Sequence, residues 1–464
     1  MDMKKRVIAL LMLVLIILSL AFYWSLPKTM TSETAKPSRF TLEIYGNANM
    51  DEVIDEKDIT FLRQIIDGKI NATEFADANR DGKIDLADVE QVLAIINRNA
   101  SYIWILDGNK QPVKVKLPVN RIGVEYLSNA ELMRILGVED KVVAVDFAPY
   151  QLRNFYFPDR ADKIINLGNM FKPDYEFLNS LNLDILFTFS FDIAEKREKL
   201  VGVDVVFLGL YWPDVINVNE SRFIQGIMKA GYILGKVEKA REYVDWLLNL
   251  IDLIKNRTSK LSDAEKPMVL MTGMVGYLTD PQQKTLRTYT LRDPLSQMCI
   301  LAGGKPIAEE LKDWSGPGYY TTVDLEWVLG KNPDYIFVHT VRYTYGGGTL
   351  LPAYGYDVND ISSLNEVWTK ITSLPMLSNI KAVKNNNLYI IAGDFRNNAM
   401  GGVLGAVYIA KILHPNLFSD MNPRDIHQEY ITKWMRIDYD LKKAGTFIYP
   451  PIKIGQEVIG IPSK

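Results

Sequence analysis

From residue 102 onward the chain alternates short apolar runs with amphipathic segments, and few folds accept that alternation. RIGVEYL at 121, KVVAVDF at 141, DILFTF at 184, DVVFLGL at 204, PMVLMTG at 267, DYIFVHT at 334 and NLYIIAG at 387 are short and rich in Val, Ile and aromatic residues, which reads as strand. Helical segments lie between them. Strands that are apolar along their length must be covered on both faces, so the pattern predicts α/β units with buried, mostly parallel sheets. Ahead of them, 102–106 and 113–117 alternate around Asp107, Gly108 and Asn109, a hairpin signal.

One stretch breaks the rhythm. Residues 223–261 contain no proline and repeat apolar residues at helical spacing. A continuous helix of ~38 residues would run roughly 57 Å, longer than one lobe is wide. Gly231 and Gly235 are the places where it would kink. The expected layout is a first lobe at 100–222, a bridging helix at 223–261 and a second lobe at 262–464.

Two acidic loops precede the lobes. Residues 77–88, DANRDGKIDLAD, place side-chain oxygens at loop positions 1, 3, 5, 9 and 12 (Asp77, Asn79, Asp81, Asp85, Asp88), with Gly82 at position 6 and the carbonyl of Lys83 at position 7. That is the donor spacing of a calcium loop, with glycine supplying the positive φ of its sharp turn. Thirty residues upstream, NANMDEVIDEKD repeats the pattern with Asn47, Asn49, Asp51, Asp55 and Asp58 and the carbonyl of Val53. Glu52 stands where the glycine should be; a left-handed backbone there would cost about 1 kcal/mol, so the second loop is expected to be the stronger site. Each loop leads into a helix with one apolar face, Ile59, Leu62, Ile65 and Ile66 in the first and Val89, Val92, Ile95 and Ile96 in the second. Each face needs the other for burial, which makes 41–99 a small all-α module.

The N-terminus carries Lys4, Lys5 and Arg6 ahead of an unbroken apolar run from residue 7 to 24. Such a run spans a bilayer with its basic flank in the cytoplasm. Residues 1–30 are therefore read as an uncleaved signal anchor and 31–40 as a tether, with the body outside; Ser19 and Ala21 offer the competing signal-peptide cleavage site. Net charge is only −3. The acidity is local: 41–99 holds thirteen Asp/Glu against six Lys/Arg, as a cation module requires, and no basic stripe points to nucleic acid. The single Cys299 excludes an internal disulfide.

Two resemblances follow from these residues. The duplicated loop-and-helix unit with Asp at position 12 resembles a dockerin over residues 45–98, which implies structural calcium and either a cohesin-like docking partner or a spacing role. The second concerns the large region. PDYEFLNSLNLDILF (173–187) and VDLEWVLGKNPDYIF (323–337) each carry Glu, then Asp eight residues later, then a strand. With RIGVEYLSNAELMRILGVEDKVVAVD (121–146), AGGKPI (302–307), NNNLYII (385–391) and AKILHPNLF (410–418), they make residues 103–438 resemble the substrate-binding proteins of ABC importers for ferric siderophores, haem and cobalamin. The resemblance implies two lobes joined by a rigid helix, small lobe movements, a ligand in the cleft and delivery to a permease/ATPase complex. Glu176 and Glu326 match the glutamates by which such proteins dock on the permease.

Ligand groups are expected in loops that follow the strands. Those loops hold Tyr150 and Arg153, Tyr211 and Trp212, Arg287 and Tyr289, Trp314 and Tyr319, Arg342 and Tyr343, and Arg396. Arginine offers fixed donors to carboxylate or catecholate oxygens, and aromatic faces pack a flat chelate. Three histidines, His339, His414 and His427, are too few for capture of a bare transition metal. His339, at a strand end, reads either as a satisfied loop histidine or as a group that touches a chelate. Enzyme signatures such as a GxSxG elbow or a phosphate loop are absent from the sequence. The alternatives to transport are a dockerin-bearing carbohydrate-active enzyme and a non-transporting surface scaffold.

Overall fold

The computed structural model describes residues 38–463 except 190–191, 212–213, 274–283, 342–353, 357 and 401. The expected anchor run lies outside the described residues, and within them no helix is long and apolar enough to cross a membrane. From Phe40 onward the chain forms one compact unit.

The two loop-led helices are α1 (Glu56–Ile66) and α2 (Leu86–Ile96). Asp55 and Asp85 cap them, each in a capping box with the aspartate three residues on, Asp58 or Asp88. Of the two predicted apolar faces, Leu62, Val89, Val92 and Ile95 are buried and Ile59, Ile65 and Ile96 half-buried, while Ile66, in the last turn of its helix, is exposed. The predicted hairpin forms as β1 (Tyr102–Leu106) and β2 (Pro112–Lys116). The module shares its core with the body. Tyr45 N–H donates to the Trp104 carbonyl at 3.0 Å and Ile54 N–H to the Tyr232 hydroxyl at 2.8 Å, while Lys229 reaches Glu43 at 2.7 Å out of solvent.

The first lobe runs β3 (Ile122–Val124), α3 (Leu127–Leu136), β4 (Val142–Val145), α4 (Phe147–Gln151), α5 (Arg153–Tyr156), β5 (Ile165–Asn166), α6 (Tyr175–Ser180), β6 (Ile185–Thr188), α7 (Ile193–Lys199) and β7 (Asp204–Phe207). Its sheet has the order β5-β4-β3-β6-β7, and every pair is parallel. All C-terminal strand ends therefore emerge along one edge.

The proline-free stretch is two helices, not one rod. α8 (Arg222–Ile233) stops at Leu234, Gly235 turns through φ +66°, and α9 (Val237–Thr258) begins two residues later. Packing decides this: a Cβ on Gly231 would stand 2.5 Å from that of Ala240, so glycine lets the two helices close on one another. The strut is thus α9 alone, ~33 Å long. It packs on α3 of the first lobe and on two helices of the second, α10 (Pro294–Leu301) and α13 (Val403–Leu413).

The second lobe contains β8 (Met268–Gly273), β9 (Thr285–Tyr289), α10, β10 (Lys305–Pro306), β11 (Tyr320–Asp324), α11 (Leu325–Lys331), β12 (Tyr335–Thr340), α12 (Ser362–Thr372), β13 (Leu388–Ala392), α13, α14 (Pro423–Glu429) and β14 (Ile448–Tyr449). The order is β11-β9-β8-β12-β13-β14, with β10 beside β8. Its centre is parallel, but β9, β11 and β14 join antiparallel. The sheet is mixed, since antiparallel edge strands are readily added to a parallel centre. A last hairpin, β15 (Ile452–Ile454) and β16 (Glu457–Ile459), follows.

The lobes are also tied directly. Glu131 on α3, fully buried, accepts from Tyr156 Oη (3.1 Å), Asn398 Nδ2 (2.6 Å), Ala399 N (3.0 Å) and Tyr430 Oη (2.5 Å). Arg134 donates to the carbonyls of Met435 and Arg436 at 3.0 and 2.9 Å. Such bonds favour the small lobe movements expected of a stiff bridge.

Candidate ligand cleft

Parallel strands deliver the first lobe's side of the cleft. Tyr126 follows β3, Asp146 follows β4, Phe189 follows β6 and Tyr211 lies just past β7. Tyr126 has φ +76°, a left-handed conformation that an aromatic residue keeps only when its surroundings hold it. Asp146 Oδ1 accepts the Tyr126 N–H at 3.0 Å. The Tyr126 ring stacks on Phe189 with centroids 4.3 Å apart, and Tyr211 meets both edge-on at 5.9 and 5.6 Å. Met170 completes this small cluster.

The second lobe answers with polar groups. Tyr319 lies 6.0 Å from Tyr211. The Arg396 guanidinium sits 5.0 Å from the Tyr211 ring and 5.3 Å from Tyr289, and its Nε bonds both carboxylate oxygens of Asp293 at 3.0 and 3.1 Å. Asp293 is the N-cap of α10 and is wholly buried. Tyr289 Oη pairs with His339 Nδ1 at 3.2 Å; Gly273 leaves room for that hydroxyl, which would stand 2.0 Å from a Cβ there. His339 Nε2 is buried and has no hydrogen-bond partner among the described residues. Burial, with Arg396 and Arg287 adding like charge, holds the imidazole well below its usual pKa and therefore neutral. A cavity of about 190 Å³ opens between the lobes, lined by Tyr126, Leu127, Tyr354, Gly393, Asp394 and Asn397 among others; His339 is not in its lining.

Four of the predicted ligand residues, Tyr211, Tyr289, Tyr319 and Arg396, thus converge. Arg287 lies over the Tyr320 ring at 3.9 Å and adds its charge at His339. Others make contacts of their own. Arg153 covers its own neighbour Tyr150 at 4.3 Å. Trp314 is half-buried in a turn closed by its N–H to the Leu311 carbonyl. Trp212, Arg342 and Tyr343 lie outside the described residues. Sequence reasoning missed Tyr126, Phe189 and Asp293. Tyr126 was within reach, because it follows a parallel strand two residues on; Asp293 was not, because its partner is distant in the chain.

Glu176 and Glu326 occupy matching places. Each is exposed in the first turn of a short helix, α6 or α11, behind an aspartate cap and ahead of a strand.

In the first acidic loop, Asp58 accepts the N–H groups of Asn49 and Asp55 at 3.1 and 2.8 Å, and Asp51 accepts that of Val53 at 2.8 Å. The second repeats this with Asp88 and Asn79 (3.2 Å), Asp88 and Asp85 (2.8 Å), and Asp81 and Lys83 (2.9 Å), while Asp77 takes Gly82 N–H at 3.0 Å. Gly82 has φ +90°, as expected, but Glu52 stays out of the left-handed region; the positive φ common to both loops falls at Met50 and Arg80. The strain anticipated at Glu52 is therefore not incurred. Among the described residues, no three His, Cys, Asp or Glu side chains are grouped to hold a metal ion, so a cation here would depend also on Asn47, Asn49, Asn79 and the carbonyls of Val53 and Lys83. One observation suits such a donor set: Asn47 Oδ1 is buried with no partner among the described residues, its amide nitrogen bonding the carbonyls of Leu42 and Asp51, both at 2.7 Å. Burial also pushes the Asp58 carboxyl up to about 7, the response of a buried acid lacking a countercharge.

Comparison with solved structures finds the same two-lobed fold. The TroA-like periplasmic binding protein FepB of Veillonella parvula matches with TM-score 0.57 and 18% identity, covering 74% of this chain and 98% of that one. The periplasmic protein MolA of Haemophilus influenzae, solved with molybdate, gives 0.55 and 19% over 73% and 99%. CeuE of Helicobacter pylori with Ni(II) bound gives 0.52 and 16% over 72% and 96%. The comparison with curated proteins gives no match. Residues 124–394 match the periplasmic binding protein family, a span that runs from the end of β3 through β13 and takes in most of both lobes, and the chain belongs to that family.

Proposed function

We propose that this protein is the extracytoplasmic substrate-binding component of an ABC importer, and that its cargo is a metal chelate: a ferric siderophore first, haem or a corrinoid next. The observation that carries the cargo is His339. A neutral imidazole whose Nε2 has no partner among the described residues, oriented by Tyr289 at Nδ1, suits a nitrogen donor for a metal centre. Across Arg396 from it, Tyr126, Tyr211 and Tyr319 form an aromatic cluster suited to a flat organic shell. MolA and CeuE were solved with molybdate and Ni(II), which agrees with a metal-bearing cargo. Glu176 and Glu326, matched on the two lobes, are the proposed contacts to the permease, and the N-terminal apolar run is the proposed membrane tether.

Titration of the full chain with a ferric tris-catecholate, haemin and cobalamin, followed by tryptophan quenching, tests this. Micromolar or tighter binding that weakens in His339→Ala supports the reading. Silence toward all three beside binding of an oligosaccharide would replace it with the carbohydrate alternative.

A second reading is favoured by Asn47. The orphaned amide oxygen and buried Asp58 suit calcium in the first loop, and the matching geometry of the second loop suits another; the module would then be ordered by cation through linkage, whether it serves a cohesin-like partner or spacing. Calorimetry with calcium on the full chain should show heat that shrinks in Asn47→Ala and Asp77→Ala. No heat in the unaltered protein sinks it.

A further inference from the structure

The least expected group near the cleft is Lys196. It lies on α7, whose other lysine at 199 pairs with Glu195 in solvent, yet the Lys196 side chain is completely buried. Its Nζ reaches Glu125 Oε2 at 2.7 Å and Thr188 Oγ1 at 3.0 Å. That same carboxylate oxygen accepts the Thr188 hydroxyl at 2.6 Å and the Phe189 N–H at 2.9 Å. One buried anion therefore joins the end of β3 to the end of β6. Glu125 is itself the first residue past β3, followed by Tyr126 at its left-handed φ, and Phe189 is the first past β6; these are the two rings that stack in the cleft.

We propose that the Lys196–Glu125 pair is a positioning device: it holds the Tyr126–Phe189 stack in the geometry the ligand meets, so that Lys196 sets ligand affinity without touching ligand. The inference rests on the cleft being the ligand site. Its physics is that of a buried charge pair. Burying both ions costs more than an apolar pair of like volume, so bulk stability does not call for them; what they supply is a fixed acceptor for a specified backbone N–H. Remove the cation and an uncompensated carboxylate, only 3% exposed, must leave for water. The nearest route takes Glu125 away from Phe189 N–H and releases the backbone on which Tyr126 is strained.

The test uses the full chain with fluorotyrosine placed at position 126, whose ¹⁹F shift reports the ring current of Phe189 without any ligand; Phe189→Leu gives the unstacked reference. Lys196→Met and the double variant Glu125→Leu with Lys196→Met are compared. We expect both to move the fluorine signal most of the way to the reference, and the double variant to recover the parental Tm. Affinity for whichever of the ferric tris-catecholate, haemin or cobalamin the parent binds should fall by about tenfold or more in both, the scale of a lost aromatic contact. A double variant that keeps both the parental shift and affinity overturns the proposal, leaving the pair a matter of stability only. If the parent binds none of the three, the cargo reading fails instead, and the fluorine shift alone decides the positioning role.

Discussion

The two lobes meet the cleft with different materials. The first contributes a mostly aromatic wall, Tyr126, Phe189, Met170 and Tyr211, in which the Asp146 carboxylate holds the Tyr126 N–H, on an all-parallel sheet. The second contributes a charged and hydrogen-bonded wall, Arg396 with Asp293 and His339 with Tyr289, on a mixed sheet. Parallel strands bring consecutive loops to one edge, where rings accumulate and pack on one another. In the second lobe the antiparallel β9 carries Tyr289 back beneath the ends of β8 and β12, so polar groups there are held from below as well as from the loops. For the cargo proposed above, the difference would put contact with the ligand's body on the first lobe and recognition of its polar or metal centre on the second.

Breaking the charged wall should cost most. Asp293→Ala leaves the Arg396 guanidinium buried without its carboxylate, and about 3–5 kcal/mol of stability should be lost; chemical denaturation of the parent and variant measures it. A variant as stable as the parent would show that Arg396 escapes to water and that the second wall is not a fixed structure.

The joint between the walls should be pH-sensitive through Glu131, whose carboxyl burial pushes up from 4.5 to about 8. The folded state then holds a proton that the unfolded chain has released. Its contribution to stability is present in full below pH 4.5, declines as pH rises at up to roughly 1.4 kcal/mol per unit, and is gone above about 8. Glu131→Gln should flatten that part of the stability profile. An unchanged slope would assign the dependence to other groups.

The comparison sharpens when ligand binding is read. Removing a charge-assisted bond from the second wall, as in Arg396→Ala, should weaken binding of an anionic chelate by roughly 1.5–3 kcal/mol, whereas Tyr211→Ala on the first should cost nearer 1 kcal/mol. Equal losses from the two would erase the division of labour. The smallest effect is expected outside the cleft: reversing charge at Glu176 and Glu326 together should leave ligand affinity unchanged while transport-coupled uptake fails. Loss of affinity in that double variant would place those glutamates at the ligand.

Much of this was legible in the chain. The strand and helix alternation, the hairpin at 102–116, the repeated loops and the two matched glutamates are local patterns, and each forms where the pattern put it. The cleft was legible only in part. Tyr211, Tyr289, Tyr319 and Arg396 stand out as aromatic or basic residues in loops after strands, but the same signal picked Tyr150 with Arg153, which pair with each other. Composition cannot say which loop residues face inward.

By itself the sequence determined the periodicities, the turn residues and the oxygen spacing of the loops, because these are set by neighbours within about one helical turn or one strand. It also carried enough ordered motifs to mark the family. The sequence marked Gly231 and Gly235 as the places for a kink, and tertiary structure decided that the stretch breaks outright at Gly235, because Gly231 lets Ala240 approach. Tertiary structure alone decided that Arg396 is tied to Asp293, that His339 Nε2 has no hydrogen-bond partner among the described residues, and that Lys196 is buried while Lys199 is not. Each of those outcomes depends on a partner far away in the chain, and burial by a distant partner changes a side chain's charge, reach and chemistry without leaving any mark on the residues beside it.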